Sequence, residues 1–228
     1  MARLLLFDID GTLVLTGGAG LRAMTRAFEE VFHVRDSIDV PMAGRTDAWI
    51  VSQVAARYGF VCDEAALRRF HDCYVAHLAR EIHQPGPRKG TMPGVRPLLE
   101  TLAPREDVYL ALLTGNFEEG ARLKLEYFDL WRFFPCGAFG DRALERNGLL
   151  KIAMDAVRSS GGPEVRPADV VVIGDTPLDV AVARAGGARS VAVATGSHGV
   201  DALAQTGADA VLADLGDVQR ALSAIGLV

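Results

Sequence analysis

Three short apolar runs and a near-apolar fourth constrain this chain most: LLLF at 4–7, VYLALL at 108–113, VVVI at 170–173 and SVAVA at 190–194. Each is too short for a buried helix and does not alternate with polar residues. A strand covered on both faces reads this way. A shorter run, AVL at 210–212, continues the series. Helical patterns separate the runs at 94–102, 117–128, 149–157 and 178–185, and Gly186-Gly187 would end the last of them. Alternating strand and helix predicts an α/β fold, a Rossmann-like parallel sheet flanked by helices.

One region breaks the alternation. From about residue 20 to 84 no strand pattern is found. Leu21, Met24, Phe28, Val31 and Phe32 fall at helical spacing, as do Trp49, Ile50, Val54 and Tyr58. Leu67, Phe70, Tyr74, Leu78 and Ile82 form a third such set. Pro85-Gly86-Pro87 and Met92-Pro93-Gly94 mark the return. The expected organisation is an α/β core from residues 1–19 and 86–228 with a helical subdomain at 20–85.

The composition is globular: 50% hydrophobic and 23% charged over 228 residues. A net charge of −5 carries no nucleic-acid footprint. No stretch has the length and apolarity of a membrane span. Cys62, Cys73 and Cys136 match no metal or disulfide framework, and fit a reducing cytoplasm. His33, His71, His77 and His83 show no ligand-like partners in the sequence. Oligomeric state is left open.

Ligands of parallel α/β sheets bind beyond the carboxyl ends of the strands. Asp8 follows the first run, Thr114 the second, and Asp175 closes VVVIGD. Three separate segments thus deliver polar groups to one sheet edge. Clustered carboxylates repel unless a cation lies between them, and oxygen donors of this kind suit Mg²⁺. Thr114, Gly115 and Asn116 precede a helix whose first N–H groups could hold an anion.

"DIDGTL", "LLTGN" and "VIGDTPLDVAVARAGG", in this order, resemble the haloacid dehalogenase superfamily of phosphatases, and phosphoglycolate phosphatase-like members in particular. The resemblance runs from residue 4 to about 199 and includes a helical cap after the first segment. It implies a cytoplasmic, Mg²⁺-dependent hydrolase acting on a small phosphorylated metabolite through an aspartyl-phosphate. It implies Asp8 as nucleophile, Asp10 as general acid and base, and Thr114, with nearby amides of Gly115 and Asn116, as phosphate binder. Asp8, the carbonyl of Asp10, and Asp175 would hold the metal, and Asp179 would support it directly or through water.

The family also places a cation between the second and last segments. "DRALERNGLLKIAMDAV" offers Arg142, Arg146 and Lys151, of which Arg146 is preferred by position and Lys151 comes second. "AGRT" resembles a cap loop that faces the site, so Arg45 reads either as a substrate contact or as a solvated loop arginine. His198, after the fourth run, is most simply a surface residue. A sugar phosphomutase of the same superfamily is the nearest alternative. A phospho-accepting signalling domain is the alternative from another class, but it would not need Asp10 or the helical insert.

Overall fold

The computed structural model describes residues 2–35 and 40–228. Strands β1 (Arg3–Phe7), β4 (Val108–Leu113), β5 (Gly137–Ala138), β6 (Val170–Gly174), β7 (Arg189–Val193) and β8 (Ala210–Leu212) form one sheet in the order β5-β4-β1-β6-β7-β8, and every pairing is parallel. Two-residue strands β2 (Val14–Leu15) and β3 (Gly90–Thr91) pair antiparallel outside it. Taken in chain order, the six strands of the sheet lie 3-2-1-4-5-6, which puts the reversal of direction between β1 and β6.

Both faces of the sheet are covered, as the apolar runs require. Leu5 and Phe7 of β1 face a core built with α4 (Val95–Leu102), α5 (Glu118–Tyr127) and α9 (Val218–Ile225). Leu4 and Leu6 face α6 (Leu149–Ser159) and α7 (Pro177–Gly186). A further short helix, α8 (Val200–Ala204), packs beside β7 and β8. The predicted parallel α/β architecture is present. Strands β2, β3 and β5 and helices α8 and α9 lay outside the sequence reading. A two-residue strand carries too few positions to show a period.

Between β2 and β3 stand α1 (Ala19–Phe32), α2 (Asp47–Tyr58) and α3 (Glu64–Glu81), with no strand among their described residues. Their apolar faces meet in a separate cluster around Phe28, Val54, Phe70, Tyr74 and Leu78. The Phe28 and Phe70 rings lie 4.5 Å apart. Phe117, just before α5, joins this cluster, and Leu123 of α5 packs against it. The chain enters and leaves this segment at nearly one point. A Cβ on Gly86 would lie 2.0 Å from the carbonyl oxygen of Gly17, so only glycine allows the two connections to cross this closely.

Candidate active site

Asp8, Thr114 and Asp175 each directly follow a strand, at the carboxyl ends of β1, β4 and β6. The Asp8 N–H donates to the carbonyl of Ile173 at 2.9 Å, which ties the residue to the neighbouring strand at the reversal point. Gly11 turns the chain back with φ of 86°, and a Cβ there would come within 2.6 Å of Asp175 Oδ2. Glycine therefore brings this backbone up to the carboxylates. Thr12 Oγ1 donates to Asp175 Oδ1 at 3.2 Å.

Two buried cations divide the site. The first, Arg146, sits in a short turn just before α6 and is 5% exposed. Its Nη2 lies 2.9 Å from Asp8 Oδ1 and also bonds Asp179 Oδ1. Its Nη1 donates to the Gly44 carbonyl at 3.1 Å. The other Asp179 oxygen accepts from the N–H and the hydroxyl of Thr176, at 3.0 and 2.7 Å, closing a capping box at the start of α7. Arg142 and Lys151, the other candidate cations, are both exposed.

The second cation is Lys124 on α5, 4% exposed. Its Nζ donates to Asp10 Oδ2 at 2.6 Å and to Asn116 Oδ1 at 2.5 Å. Asn116 Nδ2 donates to the same Asp10 oxygen and to Thr114 Oγ1, both at 2.8 Å. One connected network therefore runs from Thr114 through Asn116 to Asp10 and Lys124.

Burial pushes the Asp8 carboxyl up to about 6, against the opposing pull of Arg146. It pushes Asp175 up to about 8, with the Asp8 charge adding to the effect. Burial alone would favour neutral forms of the two cations. The carboxylates beside them outweigh it, so Arg146 and Lys124 are both held charged above their ordinary values.

Asp8, Asp175 and Asp179 each bring a carboxylate oxygen within 4.8 Å of the others. This all-oxygen donor set suits a hard divalent ion. Three carboxylates share one arginine, and two of them are shifted toward protonation, so the cluster lacks positive charge. By both measures the residues fit a metal ion. Asp10 turns its side chain away from this cluster toward Lys124.

One sequence expectation is corrected. The N–H groups at the start of α5 were expected to be open to an anion, but protein carboxylates take two of them, those of Phe117 and Glu118. Phe117 N–H donates to Asp47 Oδ2 and Glu118 N–H to Asp141 Oδ2, each at 2.9 Å. Asp47 opens α2, and its own N–H donates to the Gly115 carbonyl at 2.7 Å. Burial pushes its carboxyl up to about 6. Arg45 lines the same cavity of about 430 Å³ as Asp8, Asp10, Thr114, Gly115, Asn116 and Lys124. Its guanidinium stacks 4.3 Å from the Trp49 ring centroid. His198 contacts Ser197 and lies outside this cavity.

Lys124 and Asp47 were missed in the sequence. Lys124 did leave a signal, since it falls with Gly120, Ala121 and Leu125 on the buried stripe of α5. A carboxylate opening a helix, like Asp47, reads as an ordinary complement to the helix dipole.

Known proteins resemble this chain in sequence and fold. The HAD-hydrolase-like family model matches residues 139–218. A phosphoglycolate phosphatase from Rhodospirillum rubrum is 30% identical over 231 residues, covering 95% of this chain and 90% of that protein. Phosphoglycolate phosphatase 1 from Pseudomonas aeruginosa is 27% identical, covering 87% and 72%. The crystal structure of a hydrolase from Pseudomonas syringae superposes with a TM-score of 0.70 at 21% identity, covering 98% of each chain. Relatives and fold together define a phosphoric monoester hydrolase. The chain belongs to the haloacid dehalogenase-like hydrolases, as the three sequence segments implied.

Proposed function

We propose that this phosphatase is Mg²⁺-dependent, hydrolyses a small phosphomonoester through an aspartyl-phosphate on Asp8, and uses residues 20–85 as a cap over the site. The observation that carries the reading is the split of the two carboxylates of "DID" between two cations, Asp8 with Arg146 and Asp10 with Lys124. They are held apart, so they can take different roles.

In the first step an Asp8 oxygen attacks phosphorus and the bond to the leaving oxygen breaks. Asp10 gives its proton to that oxygen. In the second step water attacks the aspartyl-phosphate, Asp10 accepts the proton, and inorganic phosphate leaves with Asp8 restored. Arg146 offsets negative charge on Asp8 and on the phosphoryl oxygens. Its buried Nε–H has no protein partner and is a donor for an incoming oxygen. Thr114 and the Gly115 and Asn116 segment border the phosphoryl position.

Asp8, Asp175 and the Asp10 carbonyl would hold the magnesium, which when bound neutralises phosphoryl charge. Both Asp179 oxygens are engaged by Arg146 and Thr176, so Asp179 would act by positioning Arg146 or through water. The relatives named phosphoglycolate phosphatase make a small phosphorylated carboxylic acid the substrate class to try first. Arg45 in the cavity wall would grip its carboxylate.

The test is a panel of phosphorylated metabolites assayed with Mg²⁺ and with chelator, followed by acid quench and intact-mass measurement. Metal-dependent phosphate release is expected, with a phosphoryl adduct that Asp8→Asn abolishes. Release that persists without metal, or an adduct surviving in Asp8→Asn, overturns the reading. Transfer of the phosphoryl group to a second sugar hydroxyl would instead identify a mutase.

A further inference from the structure

Away from the cavity, Cys73 and His77 sit one turn apart on α3, an i, i+4 pair that shares a helix face. The face is turned toward α1. There Glu30 Oε2 lies 2.9 Å from His77 Nε2, and the Glu30 carboxylate also accepts from the Cys73 thiol. One sulfur, one nitrogen and one oxygen atom thus fall within 4.8 Å of one another. No such partners were visible for His77 in the sequence, because Glu30 lies 47 residues earlier on another helix.

We propose that Glu30, Cys73 and His77 form a binding site for a borderline-soft divalent cation such as Zn²⁺, clamping α1 to α3. The donors are chemically unlike those around Asp8. Thiolate and imidazole select Zn²⁺ or Co²⁺, whereas a set of carboxylates selects Mg²⁺. Arg80 is the further cation that acts on Glu30, and the other nearby charges are paired elsewhere. Glu81, one turn beyond His77, engages Arg22 at 2.6 Å and Arg26 at 3.1 Å, and Arg35 pairs with Glu29.

Access is asymmetric in the way a three-ligand site requires. The Glu30 side chain is 66% exposed and that of His77 16%, while Cys73 packs against the apolar cluster of the three helices. Water can complete the shell from the Glu30 side. Burial and Glu30 push the Cys73 thiol up to about 11, so it is protonated without metal. Binding forms the metal–sulfur bond and releases that proton to solvent.

Co²⁺ titration of the tag-free, reduced, chelator-treated full chain tests this. A thiolate-to-cobalt charge-transfer band should grow in the near ultraviolet and saturate at one equivalent. Zn²⁺ should remove it. Cobalt bound among Asp8, Asp175 and Asp179 produces no such band, so the two sites are read separately. Cys73→Ser should abolish the band and Cys62→Ser should leave it. His77→Ala and Glu30→Gln should each weaken binding about tenfold or more, at or above the loss typical of an outer-sphere partner. Glu30→Gln changes an exposed side chain, so it keeps the test available if a buried variant fails to fold. Absence of the band in excess Co²⁺, its survival in Cys73→Ser, or unchanged affinity in Glu30→Gln would each overturn the proposal.

Discussion

Arg146 and Lys124 are both buried cations, each beside one carboxylate of the DID segment, yet they are built differently. The Arg146 fork spans Asp8 and Asp179 and reaches the Gly44 carbonyl, with Asp175 close by. Lys124 is a point charge set on Asp10 and Asn116. The first cluster, three carboxylates to one guanidinium, is short of positive charge, while in the second Lys124 bonds Asp10 and also feels the charge of Asp47. On the proposed mechanism, an added cation would keep Asp8 anionic beside phosphate, while Asp10, held on its own lysine, is left for proton transfer.

The comparison breaks most visibly in the two aspartates. Asp8→Asn should leave a folded protein with no turnover above background, because an amide is a poor nucleophile. Asp10→Asn should lose about 100- to 10,000-fold on alkyl phosphates, the usual share of a positioned acid–base group. Its loss on p-nitrophenyl phosphate should be smaller, since that leaving group needs little protonation. Initial rates on both substrates decide it, and equal losses would remove leaving-group protonation from the role of Asp10.

Next come the cations themselves. Arg146→Met leaves Asp8 and Asp179 buried without a cation, at a cost of about 3–5 kcal/mol. Lys124→Met should cost less, because the Asp10 side chain is 42% exposed and water can take over part of its solvation. The two should also respond differently to metal. Mg²⁺ should raise the Tm of Arg146→Met by more than it raises that of the wild type, and the Tm of Lys124→Met by the same as wild type. Equal increments in all three proteins would show that the first cluster is not short of charge.

Arg45→Ala is a smaller change. It should lower kcat/KM about tenfold to a hundredfold on a carboxylated substrate, the worth of a charged hydrogen bond. It should leave p-nitrophenyl phosphate nearly unchanged. A uniform effect on both would make Arg45 a packing partner of Trp49 only.

The smallest effect is on pH dependence. Asp175, at about 8, and Asp8, at about 6, both lie above their unfolded values, so the metal-free fold binds more protons than the unfolded chain. Its stability should therefore fall as pH rises from about 4 to about 8. Asp175→Asn should flatten the upper part of that slope, between about 6 and about 8, in urea unfolding with chelator present. An unchanged slope would mean that Asp175 does not carry it.

How legible these features were follows from where their partners lie. Asp8, Thr114 and Asp175 stood out because each ends an apolar run, and that pattern is local. Arg146 was preferred by position alone, and the structure sets it against Asp8. Lys124 was not found, because a lysine in a helix reads as surface unless the helix is known to be buried on that side. Asp47 and His77 owe their surroundings to residues far along the chain: Phe117 for one, Glu30 for the other. The α5 N-terminus was misread for the same reason, since a sequence shows the amides but not the carboxylates that reach them.

The crossing of Gly17 and Gly86 has an architectural consequence. Beside it Val14 pairs with Thr91 and Leu15 with Gly90, so the ends of everything between are already side by side. A stretch spliced in at such a point leaves the register of the parallel strands alone. Lengthening it adds little entropy cost, roughly 0.6 kcal/mol per doubling of a flexible loop. The helices between these glycines can therefore change in length without shifting the sheet that carries Asp8 and Asp175. What such a change must keep is the small set of contacts it lends the site, the Gly44 carbonyl on Arg146 and the Asp47 carboxylate on Phe117.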